Sequence, residues 1–336
     1  MSISIATALH GVFSTILSNL FIKLPYPETN NDLSEQVVIV TGSNTGLGLE
    51  ASRHLLRLGV AKLIMAVRNL DKGERARQEL LASAKRDPSS VEVWPLDMSS
   101  FASVKSFAAR VTTLQRLDVV LANAGILTFD FGLFEGNETT LTVNVVSTFL
   151  LLLLLLPKLR EAPSTAKFVI PNSAMHYWAP IKELVPKSNK DTSTIFSRLN
   201  DPKRADMLSR YQVTKLLVLY AMRELAWRME ASGKGPVVIN SPNPSYCKSG
   251  LVREVEGVMS HAAEKIFARS TEMGSRALVH GVVAGEETHG QYLTNCHVQT
   301  PASHVTNDVG SRIQKDFFKE LLNKLEEISP GISANI

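Results

Sequence analysis

Six short apolar runs recur between residues 37 and 240, and helix-length stretches separate them. Continuous apolar runs predict strands that are covered on both faces, as in a parallel sheet. Strands that alternate with helices predict right-handed βαβ units, because parallel neighbours need a crossover connection. We therefore predict an α/β fold with a doubly wound parallel sheet. Its predicted strands are Val37–Val40, Lys62–Val67, Val91–Leu96, Leu117–Gly125, Lys167–Ile170 and Pro236–Asn240.

The domain organisation follows from length and composition together. A chain of 336 residues could form two domains, but no internal repeat or break in composition divides residues 35–300. We predict one domain there, preceded by an arm at 1–34 and followed by an extension at 301–336 with a helix near 313–328. The content of 44% hydrophobic and 20% charged residues excludes a disordered or low-complexity chain.

The charge distribution and the cysteine content limit which partners and which cellular compartment we expect. The net charge is +4, but the basic residues are scattered, so we expect no nucleic-acid partner. Two cysteines, Cys247 and Cys296, are too few for a disulfide framework and predict a reducing compartment, the cytoplasm. The absence of HExxH and CxxC patterns predicts no metal site. The oligomeric state stays open, with a homodimer as one alternative.

Two stretches raise the question of membrane association. Residues 2–22 carry no Asp, Glu, Lys or Arg, but eight of these 21 residues are polar, so a membrane span is not favoured. We expect a packed or frayed arm and keep peripheral membrane association as the alternative. A leucine-rich helix at about 138–156 is predicted to be buried and closed by Pro157, because it is too short to span a bilayer.

A glycine-rich loop follows the first predicted strand and precedes a predicted helix at about 46–58. Glycines permit the tight turn and the close approach of backbone to a diphosphate, while the helix N-terminus offers free N–H groups. The strand–loop–helix context is what a dinucleotide-binding motif requires. The loop therefore predicts diphosphate binding by Gly42, Ser43, Asn44, Gly46, Leu47 and Gly48.

The loop spacing, TGxxxGxG, resembles that of the short-chain dehydrogenase/reductase family. This resemblance extends from about residue 37 to 294 and implies a Rossmann-type fold and a nicotinamide cofactor. It also implies that Asp97 and Met98 contact the adenine, that Asn123, Ala124 and Gly125 lie near the cofactor, and that Ser249 stands close to the carboxamide.

The end of the second strand indicates which cofactor is used. Enzymes that select NAD place a carboxylate about 20 residues past the glycines, on the ribose 2′-hydroxyl. Here that position is Arg68, and Lys72 follows one helical turn later. A guanidinium binds a 2′-phosphate that a carboxylate would repel, so the sequence predicts NADP(H).

A Tyr-x-x-x-Lys pattern places Tyr211 and Lys215 on one face of a helix predicted at about 208–231. A free tyrosine has a pKa near 10, and we expect the neighbouring ammonium and the positively charged nicotinamide to lower it. The family resemblance implies a tetrad that Asn144 and Ser173 complete. In that scheme Tyr211 transfers the proton, Ser173 binds the reacting oxygen, Lys215 holds the ribose and tunes Tyr211, and Asn144 positions a water.

The sequence departs from the family pattern near these residues. Pro171 and Asn172 stand where a valine and a small hydroxyl residue are usual, and Ser245 replaces a glycine. We expect Pro171 to loosen the strand ladder, because it lacks an N–H, and Ser245 to constrain the backbone.

Ser173 and Tyr211 are 38 positions apart, and an insertion at about 174–207 between them is predicted to border the substrate. Within it, Tyr177 and Trp178 are predicted either to touch the substrate or to pack in the core. The segment 246–267 is predicted to form the opposite wall or a lid.

These features together predict an NADP(H)-dependent oxidoreductase that acts on a bulky, apolar carbonyl or alcohol. The long spacing looks like that of retinol-dehydrogenase-like members, and still more like that of reductases in fungal secondary-metabolite pathways. The alternatives are a retinol- or steroid-type dehydrogenase, a lyase or epimerase that uses transient oxidation, and a non-catalytic dinucleotide-binding protein.

Overall fold

A computed structural model describes residues 5–28, 32–188, 190–248 and 267–336. Its centre is an eight-stranded sheet, and a separate two-stranded hairpin pairs Leu133–Phe134 with Asn137–Glu138. The strands of the sheet are β1 Val37–Thr41, β2 Lys62–Val67, β3 Val91–Pro95, β4 Val119–Leu121, β5 Ala166–Val169, β6 Val237–Asn243, β7 Tyr292–Thr294 and β8 His297–Val298.

The described helices flank the sheet or extend its ends. The α-helices are α1 Ile5–Phe21, α2 Gly46–Arg57, α3 Leu70–Ala84, α4 Phe101–Val111, α5 Thr139–Arg160, α6 Ile195–Leu199, α7 Arg210–Ser232, α8 Thr271–Val283, α9 Ser303–Thr306 and α10 Asp308–Ile328. Short 3₁₀ helices occupy Pro88–Ser90, Ala174–Trp178, Glu286–Thr288 and Ile332–Asn335, and a π-helical turn interrupts α5 at Thr142–Val146.

The strand order is β3-β2-β1-β4-β5-β6-β7-β8, and every neighbouring pair is parallel except β7 with β8. Val38 of β1 lies opposite Leu63 on one side and Val119 on the other. The order of the strands therefore reverses at β1, which makes the crevice beyond the carboxyl ends of β1 and β4 a topological switch point. The predicted doubly wound, single-domain α/β fold is confirmed.

Alternate residues of the strands feed two hydrophobic cores, one on each face of the sheet. In β1, Ile39 packs with residues of α4, α5, α7 and α10. Val38 and Val40 point to the other face and pack with residues of α2, α3 and α8. Because both faces are covered, the strands need apolar residues at successive positions, as their sequences show.

The leucine-rich helix α5 does not end at Pro157, as the sequence predicted, but continues to Arg160. A proline within a helix leaves the carbonyl four residues earlier without its usual donor. That carbonyl belongs to Leu153, and it accepts a hydrogen bond of 3.0 Å from the Asn335 side chain instead. In the described part of the chain, α5 alone has the length and hydropathy of a membrane span. However, 89% of its apolar 18-residue segment is buried inside the protein.

The N-terminal arm contains α1, which packs on the 3₁₀ helix that follows Ser173. Gly11 lies so close that a Cβ there would come within 2.9 Å of Tyr177 Cβ and 3.0 Å of the Trp178 ring. At the other end of the helix, Arg269 donates to the carbonyl oxygens of Ser18 and Ile22 at 3.0 and 3.2 Å. A cation there suits the negative end of the helix dipole and satisfies the last carbonyls.

Over residues 13–21, the outer face of α1 is apolar, while polar side chains face the protein. Phe13, Leu17 and Phe21 are 59%, 51% and 77% exposed. In contrast, the Asn19 amide donates to backbone carbonyls of the body, and the Ser18 hydroxyl accepts from Asn295. This polarity is the reverse of that of an ordinary surface helix.

Candidate active site

The diphosphate loop runs from the end of β1 to the start of α2. Gly42 and Gly46 have φ angles of +64° and +59°, a conformation that favours glycine. A Cβ on Gly46 would meet no described atom within 4 Å, so a ligand can approach the backbone there. Gly48 packs against the loop itself, because a Cβ on it would lie 2.5 Å from Asn123 Nδ2 and 2.7 Å from the Gly42 carbonyl.

The Asn123-Ala124-Gly125 segment supports this loop from β4. The Asn123 amide donates to the carbonyl oxygens of Thr41 and Gly42 at 3.1 and 3.2 Å. The Ala124 N–H donates to Thr41 Oγ1 at 2.8 Å. These contacts occupy the Asn123 amide with the backbone of the loop, so its contribution to a cofactor is to hold the loop in shape.

The remaining loop residues have different surroundings. Ser43 is fully buried, and its hydroxyl has no hydrogen-bond partner among the described residues. Asn44 and Leu47 are half-buried at the loop surface. The open backbone at Gly46, the close-packed Gly48 and the free N–H groups at the start of α2 fit the diphosphate of a nicotinamide dinucleotide.

Arg68 and Lys72 are both exposed, Arg68 just after β2 and Lys72 in the first turn of α3. Within the described residues, neither forms an ion pair with a carboxylate, so both charges are available to an anion. Asp97 accepts two hydrogen bonds from Ser99, at 2.9 Å from its N–H and 2.7 Å from its hydroxyl, and Met98 is buried beside it. Ser249 lies outside the described residues, as does most of the predicted 246–267 wall.

Ser173, Tyr211 and Lys215 come together beyond the carboxyl end of β5, and all three stay partly accessible. The Ser173 side chain lies close enough to the Tyr211 phenol to lower its pKa. The Lys215 ammonium lies 5.5 Å from the centre of the Tyr211 ring and donates to the Pro171 carbonyl at 2.7 Å. The one-turn spacing of Tyr211 and Lys215 on α7 thus places both at the same cleft as Ser173.

Asn144 lies behind this group, in the π turn of α5, and is buried. Its side chain forms a paired contact with the backbone of Ile126, accepting from the N–H and donating to the carbonyl, each at 2.9 Å. It also lies 3.3 Å from the Thr214 hydroxyl on α7. The side chain therefore links the end of β4 to the helix that carries Tyr211.

Burial dominates the ionisation of the two titratable residues. It raises the pKa of Tyr211 above that of a free tyrosine, and the nearby Ser173 side chain opposes only part of this effect. Burial also lowers the pKa of Lys215 to about 8. Burial thus keeps Tyr211 a protonated phenol, and the lowering of its pKa by the ammonium together with a bound nicotinamide stays a prediction.

The departures from the family pattern are accommodated locally. Pro171 lies beyond β5, and the backbone N–H groups on either side of it, those of Ile170 and Asn172, donate to Asn240 and Pro242 of β6. The predicted loosening of the ladder is therefore wrong, because alternate residues donate to β6 and the proline lies between two that do. Ser245 does adopt the left-handed conformation, with φ of +67°, that the usual glycine would adopt without strain.

Sequence reasoning missed a buried ion network beside Tyr211. Arg210 is fully buried, with Glu138 Oε2 at 3.6 Å and Glu183 Oε1 at 3.3 Å. The Glu138 carboxylate also caps the start of α5, accepting from the N–H groups of Thr140 and Leu141. The sequence signal for this network is Arg210, in the first turn of α7. A cation there interacts unfavourably with the helix dipole unless carboxylates compensate its charge.

Another missed contact joins the Ser173 segment to the C-terminal extension. His176 is completely buried, and burial lowers its pKa to about 3, so it stays neutral. Its Nδ1 donates to the Ser173 carbonyl at 2.8 Å, and its Nε2 accepts from the Ala302 N–H at 3.2 Å. Tyr177 is also buried, and its hydroxyl donates to the Thr300 carbonyl. These two side chains pack the insertion against residues 300–302.

The chain is similar to known proteins along most of its length. Residues 36–173 match the family model described as short chain dehydrogenase. The short chain dehydrogenase/reductase dmxR8 of Cryptosporiopsis sp. is 41% identical over 327 residues, which cover 95% of this chain and 99% of the relative. The short chain dehydrogenase atnD of Emericella nidulans is 43% identical over 290 residues, covering 83% and 90%.

Solved structures share the fold at lower sequence identity. A protein from Mycobacterium paratuberculosis superposes with a TM-score of 0.65 at 23% identity, covering 89% of this chain and 96% of its own. An alcohol dehydrogenase from Thermococcus sibiricus, complexed with 5-hydroxy-NADP, has a TM-score of 0.53 at 19% identity, covering 77% and 95%.

Proposed function

The chain belongs to the short-chain dehydrogenase/reductase family, and on that premise we propose that it is an NADP(H)-dependent oxidoreductase interconverting a carbonyl and an alcohol. The observation that carries the proposal is the grouping of Ser173, Tyr211 and Lys215 at one cleft, with the Lys215 ammonium 5.5 Å from the centre of the Tyr211 ring. The bound nicotinamide would supply or accept the hydride, while the protein residues handle the proton and the developing charge.

Each of the three accessible residues has a role in this scheme. Tyr211, which burial keeps protonated, donates its proton to the substrate oxygen during reduction and takes it back during oxidation. Ser173 donates a hydrogen bond to the same oxygen and stabilises its negative charge. Lys215 holds the ribose hydroxyls with the N–H groups of its ammonium that the Pro171 carbonyl does not use. Asn144 supports the water that relays the proton.

For the substrate, we propose a bulky, apolar small molecule, in keeping with the resemblance to reductases of fungal secondary-metabolite pathways. The insertion begins directly after Ser173, and Met175, two positions further on, is a half-buried apolar side chain. Cys247 and Cys296 are free thiols, which fits the reducing environment of the cytoplasm.

The test is a turnover screen with purified protein, NADPH or NADH, and a panel of ketones, aldehydes and secondary alcohols. We expect NADPH-dependent reduction of at least one bulky ketone, and a loss of about 100-fold or more in Tyr211→Phe, because the proton donor is removed. Tyr220→Phe is the matched control, since Tyr220 lies on the same helix but is fully buried against His304. Protein that binds NADPH and turns over nothing would favour the non-catalytic alternative.

The choice of NADP(H) is tested separately at Arg68. We expect Arg68→Asp to weaken NADPH binding about 10-fold or more, because a carboxylate repels the 2′-phosphate that the guanidinium attracts. Fluorescence titration with NADPH and NADH measures both affinities. Arg312→Asp, an equal charge reversal at an exposed position of α10, should change neither. An unaltered NADPH/NADH preference in Arg68→Asp would refute the assignment.

A further inference from the structure

Asn172 stands where the family usually has a small hydroxyl residue, and it immediately precedes Ser173. It is 3% exposed, so it cannot touch the substrate directly. Its backbone N–H donates to the Pro242 carbonyl at 2.8 Å, which extends the pairing of β5 with β6 past Pro171. The residue is therefore fixed to the sheet from its backbone side.

The side chain of Asn172 bridges three separate parts of the site. Its Oδ1 accepts a hydrogen bond of 2.7 Å from the Ser173 N–H. Its Nδ2 donates to the Lys215 backbone carbonyl at 3.3 Å and to Ser241 Oγ at 3.1 Å. Both amide hydrogens and the amide oxygen are thus used, and each partner belongs to a different element.

The network continues from Ser241 back to the strand that leads into Ser173. The Ser241 hydroxyl donates to the Ile170 carbonyl at 2.8 Å. A closed set of hydrogen bonds therefore joins the end of β5, the end of β6 and the second turn of α7. A serine at position 172 has one donor and a shorter reach, so it could not bridge α7 and β6 simultaneously.

We propose that Asn172 is a positioning residue that fixes Ser173 relative to Tyr211 and Lys215, which rests on the proposed function of those three residues. The amide sets the distance between the Ser173 backbone and α7, and hence the position of the Ser173 hydroxyl relative to the phenol. Misplacement of a catalytic group by about 1 Å can cost about 100-fold in rate, even where binding is unchanged.

The test compares Asn172→Ala with Asn240→Ala. Asn240 is a matched control because it is fully buried on β6 and its amide likewise donates twice, to the Gly281 carbonyl and to the Thr288 hydroxyl. Both of these acceptors lie apart from the group formed by Ser173, Tyr211 and Lys215. With NADPH and the best ketone of the panel as probes, we expect Asn172→Ala to lower kcat about 30-fold or more, with the Kd for NADPH within about threefold of wild type.

Asn240→Ala should lower the melting temperature similarly but leave kcat within about threefold of wild type. Equal kcat values in the two variants would overturn the proposal, since the loss would then reflect stability alone. Should Asn172→Ala fail to fold, Asn172→Asp keeps the size and the acceptor but loses both donors, and a kcat decrease of about tenfold or more is expected.

A second readout does not depend on turnover. Hydrogen exchange of the Ser173 amide, which Asn172 Oδ1 protects, should become at least about tenfold faster in Asn172→Ala and stay unchanged in Asn240→Ala. If the wild-type protein turns over nothing in the panel, the proposed function fails, and this exchange rate still decides whether Asn172 holds Ser173. Unchanged exchange in Asn172→Ala would overturn the proposal.

Discussion

Burial shifts the pKa values of Tyr211 and Lys215 in opposite directions. The phenol keeps its proton because burial penalises the phenolate, while the ammonium becomes easier to deprotonate for the same reason. In the direction of carbonyl reduction this is useful, since the proton donor is fully protonated at neutral pH. Lys215 is then the residue whose charge state changes within an accessible pH range.

We expect kcat/KM for carbonyl reduction to decrease as the pH rises through about 8. The pKa of Lys215 is lowered from 10.5 to about 8, so its positive charge is present below pH 8 and is lost above it. The expected slope is about tenfold per pH unit in the alkaline limb of a pH–rate profile. Lys215→Arg, which keeps its charge, should shift that limb upward. A profile that stays flat to pH 10 would contradict this assignment.

The glycine motif and the Tyr-Lys pair of the candidate site could be predicted because their spacing is local, whereas Asn144 and Ser173 came from the family resemblance. Gly42 to Gly48 are consecutive in the chain, and Tyr211 and Lys215 lie one helical turn apart. The partners of those residues could not be predicted, because they come from distant segments. The Lys215 contact with Pro171 spans 44 positions, and the Arg210 contact with Glu138 joins two segments far apart in the chain. Position along the chain carries no information about such pairs.

Among the elements, α5 shows how a proline can be accommodated inside a helix. Pro157 lies three residues before its end, and the sequence predicted that the helix would end there. The missing N–H is replaced by the Asn335 amide, which arrives from a 3₁₀ helix near the C-terminus. Leu153, whose carbonyl accepts this hydrogen bond, is 1% exposed, so bulk water could not have supplied the donor instead.

We expect Asn335→Ala to reduce the free energy of unfolding by about 1–3 kcal/mol, because it leaves a buried carbonyl without a donor. Chemical denaturation measures the change. Pro157→Ala restores the N–H at position 157, so in that background the same substitution should cost less than about 0.5 kcal/mol. An equal cost in both backgrounds would show that Asn335 acts through some other contact.

For the molecule as a whole, the pattern of apolar residues predicted the sheet and its two covered faces. Strands that are buried on both faces have apolar residues at successive positions. It could not predict how the N-terminal arm attaches, because residues 13–21 of α1 make polar contacts with the rest of the protein and expose apolar side chains. Pattern reasoning assumes that apolar residues face inward, and this part of α1 does the opposite. The predicted domain boundaries stay predictions.

Two leucines of different exposure allow a test of whether the arm is packed into the fold or frayed. Leu24 is 1% exposed and Leu20 is 45% exposed. We expect Leu24→Ala to lower the free energy of unfolding by about 2–3 kcal/mol, since it leaves a cavity, and Leu20→Ala to change it by less than about 0.5 kcal/mol. Denaturant titration of both variants provides the measurement. Equal, small effects would show that the arm contributes little to the fold.

The contacts of the arm can form only after distant parts of the chain have been synthesised. Arg269, Arg276 and Asn295 bond to arm residues that precede them by 251, 252 and 277 positions. A ribosome that adds about 5–20 residues per second needs on the order of 10–50 seconds to make that much chain. Throughout this interval α1 lacks these partners, so the polar contacts of the arm can form only after residues 269–295 have been made.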